Sequence, residues 1–285
     1  MKKTAFLLIL VSTLIGSSCG KFLENEVEAI DKKNTQEIAA YISQKNLQVQ
    51  SSTTGLKYQI TKTTPAKVAQ AGEEVSFHYI LSLLDGSKID SSSRLKNEPG
   101  KIIFGTSNII LGFLEAISIL KEGERGIFLL PSTLAFGSQA NAAIPANANL
   151  RLDLEIMKIR TEDQVIEDYI KATKLLITET TASGLRFIRT APGVGTELKT
   201  GMLTTVKYSG SSVRNGVQFN TGQIEVTLGV NPLVKGFEEG LLKMKVGEKA
   251  TLVFPSKLGY GTTGSGTRIA PYTPLVFNVE IVSAK

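Results

Sequence analysis

Residues 228–241 read LGVNPLVKGFEEGL, and residues 104–117 read FGTSNIILGFLEAI. Each run, continued by three residues, sets apolar residues at helical spacing, Phe237, Leu241 and Met244 in one and Phe113, Ile117 and Leu120 in the other. The likeness extends outward on both sides. Upstream stand Tyr208 with NGVQFNTG (215–222) and Tyr79 with DGSKIDSSS (85–93). Downstream stand GYG (259–261) with IAPYTPLVFNVEI (269–281), and AFG (135–137) with IPANANLRLDLEI (144–156). Register is kept: Tyr79 and Tyr208 are 129 positions apart, as are Gly55 and Gly184. Phe113 and Phe237 are 124 apart, as are Phe136 and Tyr260. A difference of five residues, assigned to the interval from Asp90 to Gly105, accounts for the change of offset. A repeat this long predicts tandem domains rather than a solenoid.

Strand-length segments surround the helical run in both copies. They are EEVSFHYILSLL, KIIFG, RGIFLLP and LRLDLEIMKI in the first, and MLTTVKYSG, QIEVTLG, EKATLVFP and PLVFNVEIV in the second. Turn pairs separate them, among them Asp85-Gly86 and Asn215-Gly216. The expected unit is an α+β fold, a twisted antiparallel sheet of five to six strands wrapped around a short helix. Each unit is preceded by a short helix, the first carrying Ile38, Tyr41 and Ile42, the second Val165, Ile166, Tyr169 and Ile170. These helices are expected to pack on their own domains, with the unit boundary near Arg160 to Asp163.

The N-terminus, MKKTAFLLILVSTLIGSSCG, has a basic tip, a hydrophobic run from Ala5 to about Ile15 and then small residues. The run is shorter than the ~20 apolar residues that span a bilayer, and it reads as an export signal. Cys19, the one cysteine of the chain, follows the small residues. It is the expected site of lipidation after cleavage, although Gly16 stands where a lipoprotein signal usually has Leu. Multiple acyl chains would anchor the protein stably, at about 0.8 kcal/mol per buried CH₂. The expected division is 1–18 signal, 19–50 tether and short helix, 51–160 first domain, 161–183 helix and linker, and 184–285 second domain.

Composition narrows the chemistry. Of 285 residues, 42% are hydrophobic and 20% charged, which suits two globular domains. The net charge of +6 includes Lys2 and Lys3 of the signal, and no basic run interleaves with aromatics. Nucleic acid is therefore not an expected partner. The single histidine, His78, is matched by Lys207 in the second copy, so an activity shared by both copies cannot use histidine. That argues against a Ser-His-Asp hydrolase. No repeated cluster of ligands suits a metal, and no cofactor is expected. The stretch GTTGSGT (261–267) lacks the Lys-Ser/Thr ending of a phosphate loop and reads as an ordinary loop.

What both copies share is apolar and aromatic. Taken in order, these motifs resemble the FKBP-type peptidyl-prolyl cis-trans isomerases. The carriers are the Tyr of VKYSG, the F/I-D/N after the NG or DG turn, the GFEEGL helix, the Y/F-G before a long loop, and the closing IAPYTPLVFNVEI or IPANANLRLDLEI. The resemblance covers about 55–160 and 184–285. It implies a pocket between the helix and the concave face of the sheet. In the second copy Tyr208 and Phe219 would form a wall, and Phe237 the floor in place of the family's usual Trp. Leu233 and Val234 would lie beside the ligand, Tyr260 would donate to a substrate carbonyl, and Ile269 and Phe277 would close the far side. The family's acid is Asn220 here. The first copy would use Tyr79, Ile89, Asp90, Ile109, Ile110, Phe113, Phe136, Ile144 and Leu152, with Phe136 lacking the donor hydroxyl.

The resemblance implies a proline isomerase assisting the folding of exported proteins in the bacterial envelope, lipid-anchored and facing the periplasm from the outer membrane, with the second domain more active. Proline-containing polypeptides would be its partners, and macrolide immunosuppressants would be ligands of the second domain. The alternative is a non-catalytic FKBP-like binding or chaperone module of an envelope assembly.

Overall fold

The structure, a computed structural model, describes residues 16–106 and 109–285, with side chains from residue 26 onward. The segment 1–15 of the expected signal lies outside the described residues. The chain divides into two compact units.

The first unit opens with α1 (Gly16–Lys45), a helix of 30 residues. The sequence led us to expect a tether and a short helix there. Backbone helix instead continues through Cys19, whose side chain lies outside the described ones. After α1 come β1 (Gln50–Ser51), β2 (Lys57–Lys62), β3 (Glu74–Leu83), β4 (Lys88–Ser91) and β5 (Gly100–Ile103), then α2 (Leu111–Ile119), β6 (Arg125–Leu130) and β7 (Leu150–Arg160). The sheet has seven strands in the order β1-β2-β6-β7-β3-β4, with β5 also on β3. Its register is antiparallel, for example Phe128 opposite Leu152. Tyr41 and Ile38 of α1 are buried with Leu129 of β6 on the face away from α2. One turn before Ile38, buried Asn34 donates from Nδ2 to Ser132 Oγ at 2.6 Å.

The second unit begins with α3 (Glu162–Thr173), closed by a capping box between Thr161 and Gln164. Then follow β8 (Glu179–Thr180), β9 (Arg186–Ala191), β10 (Leu203–Ser212), β11 (Gln218–Thr227), α4 (Lys235–Leu241), β12 (Lys249–Phe254) and β13 (Leu275–Ala284). Six strands run in the order β11-β10-β13-β12-β9-β8. The amphipathic face of α3, Val165, Ile166 and Ile170, packs on Ile188, Val253 and Val276. The larger core lies on the other face, where α4 packs through Phe237 and Leu241 against Phe254, Phe187 and Leu252. Burying each such side chain contributes about 1.5–3 kcal/mol.

One difference explains seven strands against six. Asp90 to Gly105 spans fifteen positions, whereas Asn220 to Gly229 spans nine. The first copy therefore carries six extra residues here, and one extra residue before Asn215 in the second copy brings the net difference to five. The extra segment divides one strand into β4 and β5, while the second copy keeps β11 whole. The helix approaches its sheet closely in both copies. A Cβ at Gly236 would meet the Phe254 ring at 2.5 Å, and one at Gly112 would meet Leu130 at 2.6 Å. This is why a glycine precedes the helical Phe in each.

Candidate active site

In the second unit the concave face of the sheet and the start of α4 enclose a cavity of about 650 Å³. Each wall comes from a different element. Tyr208 projects from β10, Phe219 and Asn220 from β11, and Phe277 from β13. Leu233 and the N-cap residue Val234 lead into α4, which supplies Phe237. Tyr260 stands at the mouth, 36% exposed.

The aromatic rings are mutually braced. Phe277 lies 5.0 Å from Phe237, 5.6 Å from Phe219 and 6.3 Å from Tyr208, ring centre to ring centre. Behind it Phe254 stacks at 5.8 Å. Tyr208 meets Phe237 edge-on at 5.8 Å. Such pairs contribute roughly 0.5–1.5 kcal/mol beyond their buried area, so the rings of the cavity wall stabilise one another's positions. Gly210 sits opposite Phe277 across β10 and β13. A Cβ there would meet Phe277 at 2.6 Å and Phe219 at 2.8 Å. The glycine of VKYSG is thus required by the close approach of two pocket rings.

The turn carrying Tyr260 is anchored from α3. Glu162 accepts the Ser256 amide and the Ser256 hydroxyl, each at 2.7 Å. The Ser256 carbonyl in turn accepts the amides of Gly259 and Gly261, each at 2.8 Å, which bracket Tyr260. The Tyr260 and Tyr208 hydroxyls bond to nothing among the described residues, so both remain available to a ligand.

Of the residues expected at this site, Ile269 alone is not on the cavity wall. It is buried in the core and bridges to Ser265, so it supports the wall from behind. Ile224, Pro232, Lys235, Lys257, Gly259 and Gly261 line the cavity and were not anticipated. The two lysines could have been found by noting which changes between the copies alter charge.

The first unit arranges the matching residues differently. Tyr79 lies 5.3 Å from Phe113, and its hydroxyl donates to Asp90 Oδ2 at 2.5 Å. Burial, then the Asp90 hydrogen bond and charge, push the Tyr79 phenol up to about 12. Phe77, not anticipated, lies 5.2 Å from Phe113 and 5.8 Å from Tyr79, where the second copy has Val206. Leu152 and Ile144 are buried; Ile89, Ile109, Ile110 and Phe136 are half-buried, and Asp90 is exposed. Among the described residues Phe136 joins no ring pair. On β3, His78 points away from Tyr79, and its Nδ1 lies 2.9 Å from Ser92 Oγ. Burial, and then the charge of Arg94, hold its pKa below the ordinary value against an opposing pull from Glu155.

No group of His, Cys, Asp or Glu among the described residues could hold a metal ion. The apolar cavity, with hydroxyls at wall and mouth, suits gripping a small apolar ring and bonding an adjacent carbonyl.

A family model described as FKBP-type peptidyl-prolyl cis-trans isomerase matches residues 66–157 and 195–282. Human peptidyl-prolyl cis-trans isomerase FKBP10 is 29% identical over 232 residues, covering 79% of this chain and 36% of its own length. The chain thus spans about a third of the length of that curated relative. FKBP-type peptidyl-prolyl cis-trans isomerase FkpA of Aeromonas hydrophila is 36% identical over 128 residues, 45% of this chain and 46% of its own. Among solved structures, the three FKBP domains of wheat FKBP73 align over 84% of this chain and 99% of theirs, at 22% identity and a TM-score of 0.41. FkpA from Escherichia coli aligns over 51% of this chain and 66% of its own, at 25% identity and a TM-score of 0.41.

Proposed function

Because the chain belongs to the family of FKBP-type peptidyl-prolyl cis-trans isomerases, with both units matched, we propose that it isomerises prolyl peptide bonds, chiefly at the second unit. The observation that carries this is the braced aromatic cavity with the Tyr260 hydroxyl at its mouth, unbonded among the described residues. Rotation about a peptide bond faces about 18–20 kcal/mol because of amide resonance. The bond before proline is the one that populates cis appreciably. In the proposed mechanism Tyr208, Phe219, Phe237 and Phe277 grip the proline ring and exclude water from the amide. The twisted amide has less charge separation to solvate than the planar one, so a dry site favours it. Tyr260 donates to a substrate carbonyl and fixes the acyl side. Each tenfold in rate needs about 1.4 kcal/mol of preference for the twisted state, which a few aromatic contacts supply. Macrolides would compete for the same cavity.

For the first unit a binding role is the better reading. Phe136 offers no hydroxyl, Phe77 packs against the floor residue Phe113, and Tyr79 is committed to Asp90. This suits a client-holding or assembly module beside a catalytic one, within the division at 51–160 and 184–285. We place the protein in the bacterial envelope, anchored through lipid on Cys19, on the strength of the N-terminal sequence. No helix among the described residues is long and apolar enough to cross a membrane. The experiment is a prolyl-isomerase assay on the full chain with one pocket altered at a time. Turnover that survives every change at the second cavity would sink the assignment. Acyl mass on the Cys19 peptide, and its loss with membrane association in Cys19→Ala, tests the anchor.

A further inference from the structure

The mouth of the second-unit cavity carries charge of one sign. Lys235 at the start of α4 and Lys257 in the turn before Tyr260 both line it. Both are exposed, and neither pairs with a carboxylate among the described residues. No Asp or Glu among the described residues lines the cavity. The acids of α4 are engaged elsewhere: Glu238 accepts the Gly229 amide at 2.6 Å, and Glu239 accepts the Ser183 hydroxyl at 2.7 Å. A third cation, Arg268, donates from Nη1 to the carbonyl of the wall residue Phe219 at 3.3 Å.

The duplicated unit supplies an internal comparison. Where the second copy has Lys235, Lys257 and Arg268, the first has Leu111, Thr133 and Ala143; where the second has Asn220, the first has Asp90. At the lining positions every change of charge between the copies makes the second site more positive. The second site is therefore the more positive of the two sets of matching residues.

We propose that the second site selects prolyl segments bearing a carboxylate side chain beside the proline, and that this preference is absent from the first unit. The proposal rests on the isomerase reading of the cavity and names its substrate class. Lysines at the edge of a low-dielectric cleft raise the local concentration of anionic ligands and their association rate. Exposed ion pairs shift an equilibrium by up to about fivefold each. The effect is screened over about 10 Å at 0.1 M salt.

The test uses the full chain and three fluorescent prolyl peptides that differ only in Glu, Gln or Lys immediately before the proline. Binding is read by anisotropy and isomerisation by NMR exchange, at low and at high salt. The Glu peptide should exceed the Lys peptide by roughly three- to tenfold at low salt, on the pairwise scale above. The gap should shrink at high salt and reverse in the Lys235→Glu, Lys257→Glu protein, with the Gln peptide as reference. Equal Glu and Lys values at low salt, or a ratio that neither salt nor charge reversal moves, would overturn the proposal. The salt comparison needs no variant, so a misfolded double mutant leaves it decisive. If the binding order appears and reverses while no peptide is isomerised, the isomerase reading fails and the charge preference stands. If the peptides are isomerised with no charge order, the charge preference fails and the isomerase reading stands.

Discussion

The Tyr79 hydroxyl donates to Asp90 Oδ2 at 2.5 Å, whereas the equivalent Tyr208 and Asn220 of the second unit are not bonded to each other. In both copies Oδ1 accepts the following amide, from Ser91 at 2.8 Å and from Thr221 at 2.9 Å, and Asn220 has no second oxygen to accept a phenol. One carboxylate-to-amide difference thus leaves the phenol bonded in the first unit and without a partner among the described residues in the second.

Titration should expose this pair. The Tyr79 phenol ionises near 12, raised from 10.0 mainly by burial and further by Asp90. A raised folded-state value means that Tyr79 contributes stability below pH 10, lost progressively as pH rises from about 10 to 12. In Asp90→Asn, ultraviolet difference titration should show this phenol ionising earlier, though still late because burial remains. An unchanged titration would show that Asp90 has no hold on it.

Tyr260→Phe removes one hydroxyl and reproduces the first copy's Phe136. A hydrogen bond of this kind contributes about 0.5–1.5 kcal/mol net, so turnover should fall by roughly two- to tenfold. The melting temperature should hardly move, because the hydroxyl bonds to no described residue. Turnover at the wild-type level would remove Tyr260 from the mechanism.

Glu162→Ala should both destabilise the second unit and slow it. The Ser256 amide and hydroxyl lose their acceptor together, at a cost of about 1–3 kcal/mol. The Tyr260 amide resonance should broaden or shift while those of α4 stay in place. A resonance that does not move would mean the turn holds itself.

His78 gives an acid-side signature. Its folded-state pKa lies below 6.5, so its contribution is present above pH 6.5 and is lost as pH falls through the depressed value. Glu155, held low by Arg125 and Arg94 against the cost of burial, loses its contribution only below the ordinary carboxylate value of 4.5. Chemical denaturation across pH should therefore weaken the first unit below about 6.5. His78→Gln should abolish that first phase and keep the second.

Much of this was legible in the chain. The repeat indicated two units, strand alternation and turn pairs located the sheets, and the family resemblance, not aromatic spacing alone, pointed to the residues that line the second-unit cavity. What escaped depended largely on neighbours distant in sequence. Phe77 reads as one more alternating strand residue, and only its contact with Phe113 of α2, beside that with Tyr79, reveals that it fills space where the other copy has Val206. Gly210 looks like a turn residue until Phe219 and Phe277 close over it; the first copy has Leu81, Ile89 and Leu152 at those three positions, exchanging ring volume for side-chain volume. Ile269 matches the family motif, yet it lies behind the wall because its loop bridges back to Ser265. The extra residues between Asp90 and Gly105 signalled an insertion, but that they would split a strand depended on pairing with β3.

Comparing Phe237 with its counterpart Phe113 shows most directly where turnover resides. Phe237→Leu and Phe113→Leu make the same modest change in each and should leave both proteins folded, as circular dichroism would check. NMR exchange of a prolyl peptide on each full-length variant is the measurement. Loss of the ring contacts at Phe237 should slow turnover on the order of tenfold, while Phe113→Leu should retain most of it. A folded Phe237→Leu protein working at the wild-type rate, or a larger loss from Phe113→Leu, would contradict the assignment of the chemistry to the second cavity.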